Sequence, residues 1–355
     1  MKQLLSMSLL TVCIGLLMAC TEEDKLTNRS SEEVTLELSV ATPGLLQTDN
    51  GASTRSDKKG DEATIKDNKL YIVQFEGTAA ASKVVKTGSA TLSSGKISFA
   101  FSLATSGKGR VYVVANTDPA ATLNMTLKTF EEKLVGYAAA TTVTASTLLP
   151  MCDYKDFDPA GATKAPDFRL KAMVAKLILK CTIDADAQAE FKGGFDIHLR
   201  NIPNGSFLGE PASFTTAWRP ATVGFSDKTN VGTMTNATTL SDSIVFYIPE
   251  NLSGQNAAVD RWIYRSVEKA PASSTYFELE GETADGRTAR VFLFFGDPIN
   301  PSDFNVHRNY AYTLTATLMG VDETDERLST KSYFMYAKED GTWNDISKTD
   351  DAFGN

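Results

Sequence analysis

Short segments of alternating polar and apolar residues recur along this 355-residue chain and limit what it can fold into. In residues 34–40, Val-Thr-Leu-Glu-Leu-Ser-Val, every second side chain is apolar, which is the period of a half-buried strand. Further strand candidates follow between turn residues: 70–75, 83–87, 96–102, 110–116, 172–183, 195–201, 243–249, 261–268, 275–281, 288–295, 310–320 and 332–337. A helical pattern is seen at 128–137, where Phe130, Leu134 and Tyr137 share one face. The sequence therefore predicts an all-β chain with at most one or two short helices.

The length of the chain indicates two domains, and the strand pattern predicts a β-sandwich for each of them. A loop rich in proline, glycine and aspartate follows Pro150 and is the best boundary between them. We expect an N-terminal β-sandwich at 33–150, a linker at 151–167 and a C-terminal β-sandwich at 168–337. The remaining residues, 338–355, are polar and acidic and are expected to form a tail.

The first twenty residues have the features of an export signal. An apolar run at 4–19 is shorter than the roughly 20 residues that a membrane-spanning helix needs, and Lys2 precedes it. The run closes with Leu-Met-Ala-Cys, which resembles the lipobox of bacterial lipoproteins. This resemblance implies a signal peptide at 1–19, cleavage between Ala19 and Cys20, and lipid on Cys20, including palmitate. A flexible tether at 20–32 and an outer-membrane location at the cell surface follow from it; the alternative is a soluble secreted protein.

The sequence contains little that points to chemistry. Its net charge of -9 argues against nucleic acid as a partner. The two histidines, His198 and His307, have no neighbouring nucleophile or metal-ligand pattern, and each is expected at the surface or on an edge strand. We predict a protein that is not an enzyme and has neither a cofactor nor a metal site. Two alternatives stay open: a carboxylate pair for glycoside hydrolysis, and a sugar platform rather than core packing for Trp218, Trp262 and Trp343.

Two of the four cysteines are left for the folded part of the chain. Cys13 lies in the signal and Cys20 is expected to carry lipid. Cys152 and Cys181 can form a disulfide, remain as two buried free thiols, or bind a metal. No cysteine or histidine stands near them at metal-ligand spacing, so free thiols are favoured.

Several segments occur in the order seen in one family of surface proteins. They are Thr54-Arg55 ahead of 70–75, Leu149-Pro150-Met151 followed by 170–177, Phe-Tyr-Ile-Pro-Glu-Asn-Leu at 246–252, and Phe-Asn-Val-His-Arg-Asn-Tyr-Ala-Tyr at 304–312. Together they resemble the Bacteroidetes fimbrillin-like lipoproteins of the type V pilus subunit superfamily. The resemblance implies two tandem transthyretin-like, Greek-key β-sandwiches. It also implies a structural role as stalk, tip or anchor of a fimbria, with a contribution to adhesion.

In polymerising members of this family, the resemblance implies that a trypsin-like protease cuts after an arginine beyond the first strand. A neighbouring subunit then fills the groove. Here Arg55 is the candidate for proteolytic maturation, and an ordinary solvated arginine is its alternative. The removable strand would carry four apolar side chains: Val34, Leu36, Leu38 and Val40. Their burial would contribute roughly 6 to 12 kcal/mol before ordering costs.

The donor segment and the role stay open at this stage. Residues 332–337 fit either a mobile strand that enters the next subunit or the last strand of their own domain. The expected partners are other pilin subunits, in a homo- or hetero-polymer, and the outer membrane through the lipid on Cys20. The alternative function is a monomeric surface lipoprotein that binds a glycan or a host ligand.

Overall fold

The computed structural model shows a chain built mainly from strands. It describes residues 32–41, 60–103, 107–162, 166–210, 223–234, 243–261, 264–297, 299–321, 328–340 and 343–346. The strands are β1 Glu33–Ala41, β2 Lys69–Phe75, β3 Val84–Thr91, β4 Lys96–Ser102, β5 Gly109–Ala115, β6 Leu134–Gly136, β7 Met151–Phe157, β8 Phe168–Arg169, β9 Lys171–Ala172, β10 Val174–Ile183, β11 Phe191–Pro203, β12 Gly205–Phe207, β13 Phe225–Met234, β14 Ile244–Pro249, β15 Tyr276–Thr283, β16 Thr288–Phe294, β17 Ala311–Val321, β18 Leu328–Asp340 and β19 Trp343–Ile346. The helices in this part of the chain are α1, Leu127–Glu131, and three 3-10 turns at Gly60–Ala63, Lys66–Asn68 and Ala185–Glu190. The all-β prediction is confirmed.

The first half of the chain pairs a three-stranded sheet, in the order β4-β1-β8, with a five-stranded sheet, in the order β3-β2-β5-β7-β9. Alternate residues of the strands point into the space between the two sheets, as the period of two requires. The core there is formed by apolar side chains from both sheets: Leu38, Val40, Leu70, Ile72, Ile97, Phe99, Phe101, Val111, Val113 and Phe168.

Helix α1 covers the opposite face of the five-stranded sheet. The Thr126 hydroxyl caps the helix by accepting from the Thr129 amide, and Phe130 is fully buried against Tyr112. The helix predicted at 128–137 is shorter in the structure, because the chain turns into the short strand β6. At the start of β5, a Cβ on Gly109 would lie 2.2 Å from the Phe75 carbonyl oxygen, so that position needs glycine.

The second half is also two packed sheets, β14-β10-β17-β18-β19 and β13-β11-β15-β16. Its core is a separate apolar cluster that includes Leu177, Leu179, Ile197, Leu199, Phe277, Leu279, Leu314 and Leu318. Strand β10 runs parallel to β17 and antiparallel to β14. The segment 332–337 falls within β18, which pairs with β17 in its own sheet.

The predicted linker at 151–167 is wrong in its first part. Residues 151–157 form β7, which pairs with β5 along its whole length. Its charged residues hide the strand pattern in the sequence, although Asp153 is buried and accepts the Arg169 amide at 2.8 Å. Strands β8 and β9 likewise pair with β1 and β7, so the first sandwich extends to Ala172.

Two other predicted segments differ from the structure. The tail expected at 338–355 begins with ordered strand, because β18 continues to Asp340 and pairs with β19. The described residues of 261–268 form no strand. Arg265 is buried there and donates to backbone carbonyls of Phe294, Phe295 and Pro301, which holds the segment as a loop.

The two halves share backbone and side-chain contacts. Strands β6 and β12 form a two-stranded sheet across the boundary, and Ala140 bridges to Tyr247. The carboxylate of Glu62 accepts from Lys176 Nζ at 2.7 Å and from the Tyr247 hydroxyl. The two contacts of Glu62 join the segment that precedes β2 to the second sandwich.

Candidate functional site: the first strand and its groove

Strand β1 is the middle strand of the three-stranded sheet. It pairs antiparallel with β4 from Glu33 to Ser39. On its other side it runs parallel to β8, with Val40 opposite Phe168 and Ala41 opposite Arg169. The Leu170 amide donates a hydrogen bond to the Ala41 carbonyl oxygen at 2.8 Å, which continues this pairing.

One face of β1 is apolar and contributes to the core of the first sandwich. Leu38 is fully buried and Val40 is 4% exposed, whereas Val34 and Leu36 are only half-buried against the same cluster. Full burial of an aliphatic side chain contributes about 1.5 to 3 kcal/mol. The two buried and two half-buried side chains of β1 together therefore contribute roughly 4.5 to 9 kcal/mol before ordering costs. The sequence-based value, which assumed four fully buried side chains, is therefore too high.

Loss of β1 would leave a groove with two unpaired edges. Within the described residues, β4 and β8 form the two ends of the sheet and β1 is the strand that separates them. The floor of this groove would consist of apolar side chains from the facing sheet, including Leu70, Ile72, Val111 and Val113. Unpaired edges and an apolar floor are the features that favour pairing with a strand of another chain.

The outward face of β1 is acidic, and its two glutamates pair with one lysine from the adjacent strand β4 and one from β3 of the facing sheet. Lys86 of β3 forms an ion pair with Glu33, and Lys96 Nζ lies 2.6 Å from Glu37 Oε1. All four side chains are substantially exposed to solvent, so each pair contributes little to stability.

The structure brings together part of the predicted site. Val34, Leu36, Leu38 and Val40 share one face of β1. Ala19, Cys20 and Arg55 lie outside the described residues, as do Trp218 and Trp262. Sequence reasoning missed β8, because a strand of two residues carries no periodicity, although the apolar Phe168 beside the basic Arg169 is a weak signal.

Two of the segments that resemble fimbrillin-like proteins meet in a buried ion pair. Glu250, after β14, accepts from Arg308 Nη2 at 2.7 Å and from Arg308 Nε at 3.1 Å. Burial alone would lower the pKa of Arg308, but the Glu250 carboxylate more than offsets this effect and the pKa is raised. Arg308 Nη1 is buried without a hydrogen-bond partner. Next to this pair, Asn309 Oδ1 accepts the Ala172 amide at 3.1 Å, so the cluster also contacts the first sandwich.

Other titratable groups are held in structural positions. Cys152 and Cys181 are buried free thiols in different halves, and burial raises their pKa values to about 11 and about 12. His198 lies in β11 between two other strands and is 9% exposed, so the position expected for it, at the surface or on an edge strand, is wrong. Its Nδ1 accepts the Asn230 amide at 3.1 Å. Burial lowers the pKa of His307.

The described part of the chain contains neither a metal-ligand cluster nor a helix that could span a membrane. No group of three or more histidine, cysteine, aspartate or glutamate side chains is placed there to hold a metal ion. None of the helices described is long and apolar enough to cross a membrane.

Comparison with known proteins places the fold. Residues 246–316 match a family model described as a domain of unknown function, DUF4906. No curated protein matches the chain. A candidate cell adhesion protein from Parabacteroides distasonis matches with a TM-score of 0.50 at 13% identity, over 89% of this chain and 98% of that one.

Two structures from Porphyromonas gingivalis are also similar. The tip fimbrial protein Mfa3, with a C-terminal truncation, has a TM-score of 0.47 at 14% identity, over 86% of this chain and 99% of that one. A fimbrilin, FimA, has a TM-score of 0.47 at 12% identity, over 85% and 95%.

The likeness to the Parabacteroides distasonis protein shows a shared fold. The predicted resemblance to Bacteroidetes fimbrillin-like proteins is confirmed at this level. The description of that structure names a cell adhesion protein.

Proposed function

We propose that this protein is a structural subunit of a cell-surface fimbria of the type V kind, as stalk, tip or anchor, that contributes to adhesion. Other pilin subunits are its partners. It reaches the outer membrane as a lipoprotein through Cys20. A cut after Arg55 then releases the segment that contains β1, and a strand of a neighbouring subunit takes its place.

One observation carries this proposal: β1 is the middle strand of its sheet, and the chain leaves it directly for the segment that contains Arg55. A cut in that segment would separate β1 from the rest of the polypeptide, because β1 precedes every other strand described here. The strand would then be held by the β4 and β8 pairing and by the burial of Leu38 and Val40. A neighbouring strand that makes the same contacts can replace it at little net cost.

The fold supports the fimbrial role, since the solved structures with a similar fold include a tip fimbrial protein and a fimbrilin. The two sandwiches of this chain suit a load-bearing unit, because backbone pairing between β6 and β12 ties the two halves together.

Surface preparations treated with an arginine-specific protease test the proposal. We expect release of the fragment that ends at Arg55 under denaturing conditions, and a ladder of multimers after mild heating. Arg55→Lys removes the site for this protease while keeping the charge, and should abolish both results. Arg29→Lys is the matched control and should leave the ladder unchanged. A single monomer band from the cut wild-type protein would contradict strand exchange and favour a monomeric surface lipoprotein.

A further inference from the structure

The groove left by β1 would have two lysines beside it, one on the adjacent strand β4 and one on β3 of the facing sheet. We call Lys86 of β3 and Lys96 of β4 the lysine pair. In the intact chain the lysine pair binds Glu33 and Glu37, which lie four residues apart on the outward face of β1. When β1 leaves, both ammonium groups lose their carboxylates and stay at the mouth of the groove.

The charge around this groove differs from that of the molecule as a whole. The chain carries a net charge of -9, so two copies repel each other at long range. Strand β1 carries two glutamates and no basic residue between positions 33 and 41. Its removal therefore makes the mouth of the groove more positive by two charges, in a molecule that is otherwise acidic.

We infer that the lysine pair determines which strand the groove accepts. This inference rests on the proposed strand exchange and names the partner: an extended segment of another chain that alternates apolar residues with carboxylates. The apolar residues fill the positions of Leu38 and Val40, and the carboxylates face Lys86 and Lys96. A strand with lysines at those outward positions is rejected by like charge.

The lysine pair acts on the rate and choice of partner more than on final affinity. Exposed ion pairs add little to binding strength, whereas complementary charge speeds association and suppresses wrong partners. Removal of the two carboxylates should slow strand uptake a few-fold, and their reversal should slow it by about tenfold or more at low salt. The difference should shrink as salt screens the charges.

Peptide exchange into the nicked full-length protein tests this inference. The protein is cut after Arg55 and keeps its own fragment until a fluorescent peptide of residues 32–41 displaces it. Uptake is followed by fluorescence anisotropy at low and high salt. Three peptides are compared: the natural sequence, one with Glu33→Gln and Glu37→Gln, and one with Glu33→Lys and Glu37→Lys.

The matching protein variant carries Lys86→Glu and Lys96→Glu. Its control carries Lys128→Glu and Lys192→Glu, two exposed lysines outside the groove, so that its net charge is the same. We expect the natural peptide to enter the wild-type and control proteins fastest. The lysine-bearing peptide should enter the Lys86→Glu and Lys96→Glu protein fastest.

The outcomes separate this inference from the proposed function. Equal uptake of all three peptides by the wild-type protein would overturn the role of the lysine pair and leave strand exchange intact. Failure of even the natural peptide to enter the nicked protein would overturn strand exchange itself.

Discussion

At the scale of single residues, burial along β1 is graded. Leu38 and Val40 lie in the core, while Val34 and Leu36 are covered on one side only. The end of the strand next to β8 therefore holds it more strongly than its beginning. An incoming strand has to match the groove best at the Leu38 and Val40 positions.

The variant Leu38→Ala tests this gradient. Because the side chain is fully buried, its truncation should lower the free energy of unfolding by about 2 to 5 kcal/mol. Leu36→Ala, at a half-buried position of the same strand, should cost about 1 to 2 kcal/mol. Urea denaturation of the uncut protein measures both values, and equal losses for the two variants would contradict the gradient.

The buried pair of Glu250 and Arg308 gives a second prediction at this scale. Glu250→Gln leaves the Arg308 guanidinium buried without a counter-charge and should cost about 3 to 5 kcal/mol of unfolding free energy. Glu282→Gln, in the exposed pair with Lys192, is the control and should cost about 0 to 1 kcal/mol. Thermal unfolding followed by circular dichroism compares them. Equal costs would mean that the buried pair contributes no more than a surface one.

At the scale of elements, the position of the two-residue strand β8 depends on its pairing with β1. Its only strand partner among the described residues is β1, and the chain then passes through β9 into β10 of the second sandwich. Loss of β1 should therefore loosen the start of this connecting segment, while β2 and β5 stay paired with each other.

Amide hydrogen exchange by NMR tests this dependence with an internal control. The Leu170 amide donates to Ala41 of β1, whereas the neighbouring Arg169 amide donates to Asp153. Once the fragment containing β1 has been removed and no other strand has taken its place, exchange at Leu170 should rise by at least tenfold, and exchange at Arg169 should rise less. Unchanged exchange at Leu170 would show that the segment 168–172 is held without β1.

At the scale of the whole molecule, the two sandwiches are coupled across their boundary. The β6–β12 sheet, the Ala140–Tyr247 bridge and the contacts of Glu62 all join them. We expect the halves to unfold together. Each half contains one buried thiol that can report its unfolding, Cys152 in the first and Cys181 in the second.

Thiol labelling in variants that keep only Cys152 or only Cys181 measures this coupling. Neither native thiol should react at pH 8, because burial blocks access and raises both pKa values. Both should become reactive over the same range of urea concentration. Labelling of Cys181 at a urea concentration that leaves Cys152 protected, or the reverse, would show that the halves unfold separately.

Local pattern allowed a large part of the fold to be predicted. The strand at 96–102 agrees with β4 residue for residue, and the alternation of 34–40 correctly assigns its buried face. The pattern failed where charge or long-range packing competes with it. Charged residues hide β7, and the buried Arg265 turns the predicted strand at 261–268 into a loop.

The sequence by itself determined the all-β class, the apolar face of β1 and the likeness to fimbrillin-like proteins, because each depends on side chains a few residues apart. Only the tertiary structure decided that β1 lies between β4 and β8, that Lys86 and Lys96 face its glutamates, and that Glu250 meets Arg308. These contacts join residues far apart in the chain. Strand order and register come from how whole sheets pack, which no local pattern records.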